Sequence, residues 1–217
     1  HLSLRRQRQM CIRDSTRMGG PLTADQEQQL QTVHESAQHL LGLITSLLDV
    51  SRMEAEAEDL IPEALLCSEL IEEAVAVLRP AAMKKGLQLE LAPYAGEVRI
   101  HANRRALAQI LMHLVGNAIK FTDRGQVLVK LRQQRHDKTL TSWIEVSDSG
   151  CGISEQDQQK LFRAFTQLDA TASRKHEGMG QGLYLSQKLA NLMGGSITVQ
   201  SRVGTGSRFT LCLEENT

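Results

Sequence analysis

The pentapeptide DSGCG, Asp148–Gly152, follows directly on the alternating run TSWIEVSD, Thr141–Asp148. Alternation of apolar and polar residues marks a half-buried strand, so Asp148 stands at a strand end. A carboxylate there is able to accept a hydrogen bond from an exocyclic amine. Gly150 and Gly152 would let the backbone come close to a flat ring. The same five residues also fit an ordinary strand-to-helix turn, and the sequence around them decides between the two.

Upstream, QVLVKLRQ (Gln126–Gln133) reads as the neighbouring strand. Before it, Asn103 caps a helix with Leu107, Ile110, Leu111, Leu114, Val115 and Ala118 on one face. That helix contains HLVGNAIKF, His113–Phe121. At about 100° per residue, His113, Asn117 and Lys120 fall within an arc of about 60° on the flank of the apolar face. An amide carbonyl and an ammonium so placed suit a magnesium ion and a phosphate oxygen, although polar flank residues are more often simply solvated.

Downstream, Ser154 caps a short helix to about Phe162, and a polar loop runs to about Glu177. GMGQG, Gly178–Gly182, then opens a helix over Gly180–Met193 with Leu183, Leu185, Leu189 and Leu192 as its apolar positions. Glycines at a helix start expose backbone N–H groups to phosphate, and the helix dipole favours the anion. Arg174 and Lys175, on the loop before it, are within reach of a terminal phosphate. GGSITVQS and GSRFTLCL finish as a hairpin, with GTGSRF, Gly204–Phe209, as the turn into the last strand.

On the N-terminal side, Ser68–Lys85 reads as a helix with Leu70, Ile71, Ala74, Val75 and Leu78 inward, bent at Pro80 and ended by Gly86. LQLEL (Leu87–Leu91) and EVRIH (Glu97–His101) alternate as strands. Helices and strands mix without strict alternation, which predicts an α+β fold, a two-layer sandwich with helices on one face of a sheet. In front stands a different pattern. Thr23 with Gln26 forms a capping-box start, and Leu30, Val33, Ala37, Leu40, Ile44, Leu47 and Ser51 recur at steps of 3 and 4. That seven-residue period is the seam of a coiled coil or four-helix bundle, and such a stripe needs a partner helix.

Composition narrows the classes. The chain has 217 residues, is 41% apolar but 3% aromatic, and carries no formal net charge. A core of Leu, Val, Ile and Ala follows, and no broad basic surface argues for nucleic acid. No apolar run approaches the roughly 20 residues that span a bilayer. Cys11, Cys67, Cys151 and Cys212 show no metal-ligand spacing and read as free thiols of a reducing compartment. RRQRQMCIRDS, Arg5–Ser15, has no apolar period and resembles the translation of a transposase-library sequencing adapter. Residues 1–15 are accordingly expected to be an artefact. Without that segment's four arginines and one aspartate, 21 basic and 24 acidic groups remain, a net charge of −3.

Taken in order, HLVGNAIKF, DSGCG, LFRAFTQLD, GMGQG and GTGSRF resemble the N-box, D-x-G-x-G, phenylalanine-bearing lid, glycine-rich box and G-T-G turn of the ATP-binding domain of sensor histidine kinases. LITSLLDVSRMEA resembles the end of the second helix of their dimerisation domain. The resemblance covers about Leu22–Leu213. It implies the histidine kinase-like ATPase fold over 61–217, preceded by a long bundle helix within 16–60. It further implies ATP and Mg²⁺ as ligands, with Asn117 on the metal and Lys120 on phosphate. Asp148 would bind the adenine amino group, with Gly150 and Gly152 allowing close approach. Phe162 and Phe165 would pack the lid, with Arg174 and Lys175 near the phosphates. Gly178, Gly180 and Gly182, with Leu183, would cradle the phosphates, and Gly204 and Gly206 would form the turn near the adenine pocket. Implied partners are a second copy through the helix 23–56 and a response-regulator receiver domain. The implied location is cytoplasmic, beneath a parent that a bacterial inner membrane would be able to anchor.

Two departures stand out. His113 replaces the asparagine common at the N-box start, and Glu177 and Gln181 interrupt the glycine-rich box, each costing ATP binding about 1 kcal/mol. The His-Glu pair at His34 imitates a phosphoacceptor, but it lacks the following proline and lies on the second helix of the pattern. The expectation is therefore a catalytic portion whose acceptor histidine lies elsewhere and which does not label itself. Two alternatives stay open: a pairing module with a decayed ATP site, and an ATP hydrolase like gyrase, the heat-shock chaperone or the mismatch-repair ATPases. The last would need an N-box glutamate, where this chain has His113, Asn117 and Lys120.

Overall fold

The computed structural model describes residues 22–34, 36–37, 61–94, 96–162 and 182–216. The chain divides into two units, His1–Arg52 and Met53–Thr217. In the first, residues 24–34 are helical, and the capping box closes reciprocally. Thr23 N donates to Gln26 Oε1 at 3.0 Å, and Gln26 N donates to Thr23 Oγ1 at 3.3 Å. Val33, on the expected seam, is 56% exposed in the single chain, and His34 is exposed on the same helix. Ala37 is the last described seam position; Leu40, Ile44, Leu47 and Ser51 lie outside the described residues.

The second unit runs β1 (Glu63–Leu66), α1 (Cys67–Lys84), β2 (Gln88–Leu91), β3 (Arg99–Ala102), α2 (Arg104–Phe121), β4 (Gln126–His136), β5 (Thr139–Asp148), α3 (Glu155–Gln158), α4 (Gly182–Leu192), β6 (Ser196–Arg202) and β7 (Gly206–Asn216). The main sheet has the order β2-β4-β5-β7-β6. β2 pairs with β4 in parallel, and the other pairings are antiparallel. β1, which the short run EALL does not announce, pairs with β3 in a separate two-stranded sheet.

Register explains the core. Val129, Val146 and Phe209 align across β4, β5 and β7, as do Leu131, Ile144 and Leu211, with Ile197 completing the second row on β6. All seven are buried. With a side-chain period of two they share one sheet face. α2 packs against β4 and β5 and lies in contact with both α1 and α4. Each of the six apolar residues expected on α2 is buried. The other sheet face carries Arg132, Trp143, Glu145 and Arg208, where Glu145 accepts from both arginines. The result is the α+β two-layer arrangement that the mixed element pattern predicts.

Local signals hold with small shifts. Asn103 caps α2 through a bond from Ala106 N at 2.9 Å, and Gly86 turns the chain after α1 with φ +70°. α1 runs on through Pro80 to Lys84. Ser154 does cap a helix, but that helix is a single turn, Glu155–Gln158, followed by turns to Phe162. On α4, Leu185 and Leu189 are buried as expected, whereas Leu192 is 46% exposed and Ser186 and Ala190 fill the inner face instead. At about 100° per residue, Leu192 falls outside the arc spanned by Leu185, Ser186, Leu189 and Ala190. No described helix is long and apolar enough to cross a membrane.

Candidate functional site

The site grows from the end of the buried sheet face. Asp148 is the last residue of β5 and, two residues beyond Val146, continues the row that α2 covers. Its carboxylate is held by backbone. Gly150 N donates to Asp148 Oδ1 at 2.8 Å, and Ser207 N donates to the same oxygen at 3.3 Å. One oxygen is thus committed to the loop, and Oδ2 is the one left to address a donor from outside. Burial raises the Asp148 carboxyl above its usual value, and the two N–H bonds oppose that rise without cancelling it.

The following loop is tied down on three sides. Cys151 N donates to the carbonyl of Phe121, the last residue of α2, at 3.4 Å. Gly204 N donates to Cys151 O at 2.7 Å, joining the loop to the β6–β7 turn. Gln126 N donates to Ser149 Oγ at 3.0 Å, joining it to the start of β4. Space enforces glycine at three places in this cluster, the first being Gly152, where a Cβ would strike the Arg202 carbonyl. A Cβ on Gly150 would strike the Phe121 carbonyl, and one on Gly206 would strike the carbonyl of Asp148. Gly206 also has φ +109°, a conformation that side chains resist.

Asn117 and Lys120 lie half-buried in the last turns of α2, leading into Phe121. The Lys120 ammonium stands 4.9 Å from the centroid of the Phe121 ring. α4 meets α2 one turn earlier. A Cβ on Gly182 would lie 3.4 Å from His113 Cγ, and His113 Nδ1 lies 3.1 Å from Ser186 Oγ. Leu183 is half-buried beside Gly182. The structure therefore gathers the ends of HLVGNAIKF, DSGCG and the GTG turn into one hydrogen-bonded cluster, and brings the last glycine of GMGQG to His113. Phe165, Arg174, Lys175, Glu177, Gly178, Gly180 and Gln181 lie outside the described residues.

Two surface depressions are prominent. The larger, about 510 Å³, is lined by Tyr94, Arg132 and Trp143, away from this cluster. The smaller, about 400 Å³, borders Asp148 and Gly206. The chemistry follows the smaller one, because only there does a half-buried carboxylate present an oxygen. Sequence reading missed Ser207, whose backbone N–H orients Asp148, and Thr122 and Lys85 at the end of α2. Ser207 follows Gly206 in the quoted GTGSRF, but a backbone donor carries no side-chain signal.

Residues 102–217 match the family described as histidine kinase-, DNA gyrase B-, and HSP90-like ATPases. Over 192 residues, 87% of this chain, the sequence is 39% identical to the signal transduction histidine-protein kinase BarA of Escherichia coli (strain K12), of which the match spans 21%. The structure resembles that of full-length ShkA in complex with AMPPNP, with a TM-score of 0.67 at 29% identity, covering 92% of this chain and 41% of that one. It also resembles the catalytic domain of histidine kinase ThkA, with a TM-score of 0.58 at 22% identity over 72% of this chain and 99% of that one, a likeness of fold. The chain spans about a fifth of the length of BarA.

Proposed function

We propose a function from an established premise: the chain belongs to the family of histidine kinase-, DNA gyrase B-, and HSP90-like ATPases. The reading is the ATP-binding catalytic part of a two-component sensor kinase, which passes the γ-phosphoryl group of ATP to a histidine. The observation that carries it is the Asp148 carboxylate, with both backbone donors on Oδ1 and Oδ2 turned to the work of recognising an amino group.

In this reading Asp148 Oδ2 accepts from the adenine amine, and Gly150 and Gly152 let the ring lie close to the backbone. Asn117 supplies an amide oxygen to Mg²⁺, and Lys120 an ammonium to phosphate. The α4 N-terminus at Gly182 and Leu183 offers its N–H groups to the phosphates, with Gly178, Gly180, Arg174 and Lys175 completing that wall. Bound Mg·ATP supplies the transferable phosphoryl group, and the metal offsets its charge. The residues of the chain then have mainly to bind, align and exclude water. The fit has a physical basis in that the neutral amide of Asn117 and the cationic Lys120 would face a polyanion, while the Asp148 carboxylate would sit where the base lies. A hydrolase needs a group to activate water, and the α2 flank offers His113, whose Nδ1 is engaged by Ser186. Transfer is favoured for that reason.

The acceptor is a histidine other than His34, presented by a dimer that pairs through the helix 23–56, and a receiver domain takes the phosphoryl group onward. The exposed seam residue Val33 supports the pairing. Radiolabelled ATP, given with a catalytically dead intact kinase of the same type, tests the whole. Acid-labile label on the added kinase is expected, and label on this chain that His34→Ala abolishes would overturn the assignment of the acceptor. Failure of Mg·ATP to bind at all would end the reading.

A further inference from the structure

We propose that Lys85 is a positioning residue of this site: its ammonium fixes the last turn of α2 and, through it, the loop that follows Asp148. The proposal rests on the nucleotide-binding reading above and adds to it a residue that lies outside every motif.

The last four carbonyls of a helix have no partner within it. In α2 these belong to Ala118, Ile119, Lys120 and Phe121. Each has a donor from elsewhere. Thr122 Oγ1 donates to Ala118 O at 2.7 Å. Lys85 Nζ donates to Ile119 O at 3.0 Å and to Lys120 O at 2.6 Å. Cys151 N donates to Phe121 O at 3.4 Å. Lys85 Nζ also reaches Thr122 O at 3.3 Å. An ammonium has three donors, and all three meet carbonyls of this one helix end.

The usual way to close a helix is a left-handed residue, generally glycine, just past its end. α2 lacks that device. Its cap, Thr122, is extended, with φ −106° and ψ 118°. The carbonyls therefore depend on an external donor, and Lys85 serves two of the four while placing positive charge at the negative end of the helix dipole. Lys85 follows α1 directly, and α1 packs along α2, so the donor arrives on a rigid support.

The consequence reaches the site by one step. Phe121 O receives the Cys151 N–H and abuts Gly150 so closely that a Cβ there would clash. A shift of the last turn of α2 moves that carbonyl, and with it the loop whose Gly150 N–H holds Asp148 Oδ1. The same turn carries Lys120, and Asn117 lies just before it. Lys85 thus links the residue proposed for adenine to those proposed for phosphate and metal without touching a ligand.

The test uses the full chain with Lys85→Met, Lys85→Arg and, as a stability control, Ile71→Val, a buried change in α1 remote from Phe121. Mg·ATP affinity is measured by calorimetry, the unfolding midpoint by calorimetric scan, and the Cys151 amide by ¹⁵N NMR. Lys85→Met is expected to weaken binding about tenfold and to move the Cys151 amide resonance. Lys85→Arg should restore most of the affinity, and Ile71→Val should lower the midpoint while leaving affinity and resonance unchanged. Should Lys85→Met fail to fold, Lys85→Gln is read in the same way. Unchanged affinity in a folded Lys85 variant would overturn the proposal, as would an unmoved Cys151 resonance. Loss of affinity in Ile71→Val equal to that in Lys85→Met would also overturn it, by reducing the effect to stability. If the wild-type chain binds no Mg·ATP, the nucleotide reading fails, and the Cys151 resonance alone then decides whether Lys85 governs the loop.

Discussion

His113 Nδ1 lies 3.1 Å from Ser186 Oγ, joining the middle of α2 to the second turn of α4. Ser186 is fully buried, and the imidazole also packs against Gly182 at the head of α4. Replacing His113 by Ala removes a half-buried hydrogen bond and the ring surface that steadies α4. A stability loss of about 1 to 2 kcal/mol is expected. Amide exchange should accelerate in the first turns of α4 and stay unchanged in β4 and β5. Equal protection of α4 in the variant would contradict this role.

Asp148→Asn should separate binding from folding. Both backbone donors use Oδ1, so an asparagine keeps them with its carbonyl oxygen and changes only the outer atom from acceptor to donor. Mg·ATP affinity should fall by about 1.5 to 3 kcal/mol, with the unfolding midpoint preserved or raised. An unchanged affinity by calorimetry would remove Asp148 from base recognition.

The raised carboxyl of Asp148 sets opposite pH dependences for the two quantities. In the folded state the proton is bound at higher pH than in the unfolded chain, so this group's contribution to apo stability falls as pH rises between the two values. Under the proposed recognition of the adenine amine by the carboxylate, binding is expected to be lost as pH falls through the raised value. Affinity measured against pH should therefore start to decline above the ordinary aspartate value of about 3.9. Affinity that holds well below that value would show the carboxylate is not required.

Gly206→Ala should be costly. It combines φ +109° with a Cβ aimed at the Asp148 carbonyl, and strain of this kind costs about 1 to 3 kcal/mol. Denaturant unfolding should show the loss, whereas Gly194→Ala, which also has positive φ but open space, should lose less. Equal losses at the two positions would mean that backbone conformation alone matters.

Thiol chemistry gives an independent probe. Cys67 is buried, with its pKa pushed up to about 12, while Cys151 is exposed within DSGCG. The Cys151 thiol is also raised, first by partial burial and further by the Asp148 and Asp123 carboxylates. Iodoacetamide should modify Cys151 more slowly than free cysteine, far faster than Cys67, and more slowly still with Mg·ATP present. Mass spectrometry of the labelled peptides reads all three rates. Insensitivity of Cys151 to nucleotide would place the ligand elsewhere.

What the sequence reveals here is what neighbours within about four residues decide. The Thr23–Gln26 box, the Asn103 cap and the Ser154 cap all read correctly because each bond closes within three residues. The apolar face of α2 reads correctly because it is a period. The β1–β3 pairing, the parallel register of β2 with β4 and the reach of Lys85 to Ile119 O are different in kind. They join residues 33 or more apart along the chain, and nothing local in EALL or around Lys85 encodes them. The site shows the same division. Asp148 announces itself by its motif, whereas the Ser207 N–H that orients it is a backbone group brought in from 59 residues away. Leu192 misleads because the leucines alone do not mark the centre of the stripe, which the small residues Ser186 and Ala190 shift to one side.

β7 is the last strand of the sheet in sequence, yet it lies inside it, between β5 and β6. During synthesis on a ribosome, β5 must wait with one edge bare until Gly206–Asn216 emerges, and β6 has no strand to join until then. The Ser207 N–H that steadies Asp148 arrives with that same strand. A nascent chain stalled before Gly206 therefore carries every named side chain on α2 and at Asp148, with the Gly150 N–H bond to Asp148 within reach, but neither a closed sheet nor the second donor to that carboxylate. The sheet and the second donor to Asp148 are thus completed together, by one late-arriving strand, and until then β5 keeps an unpaired edge.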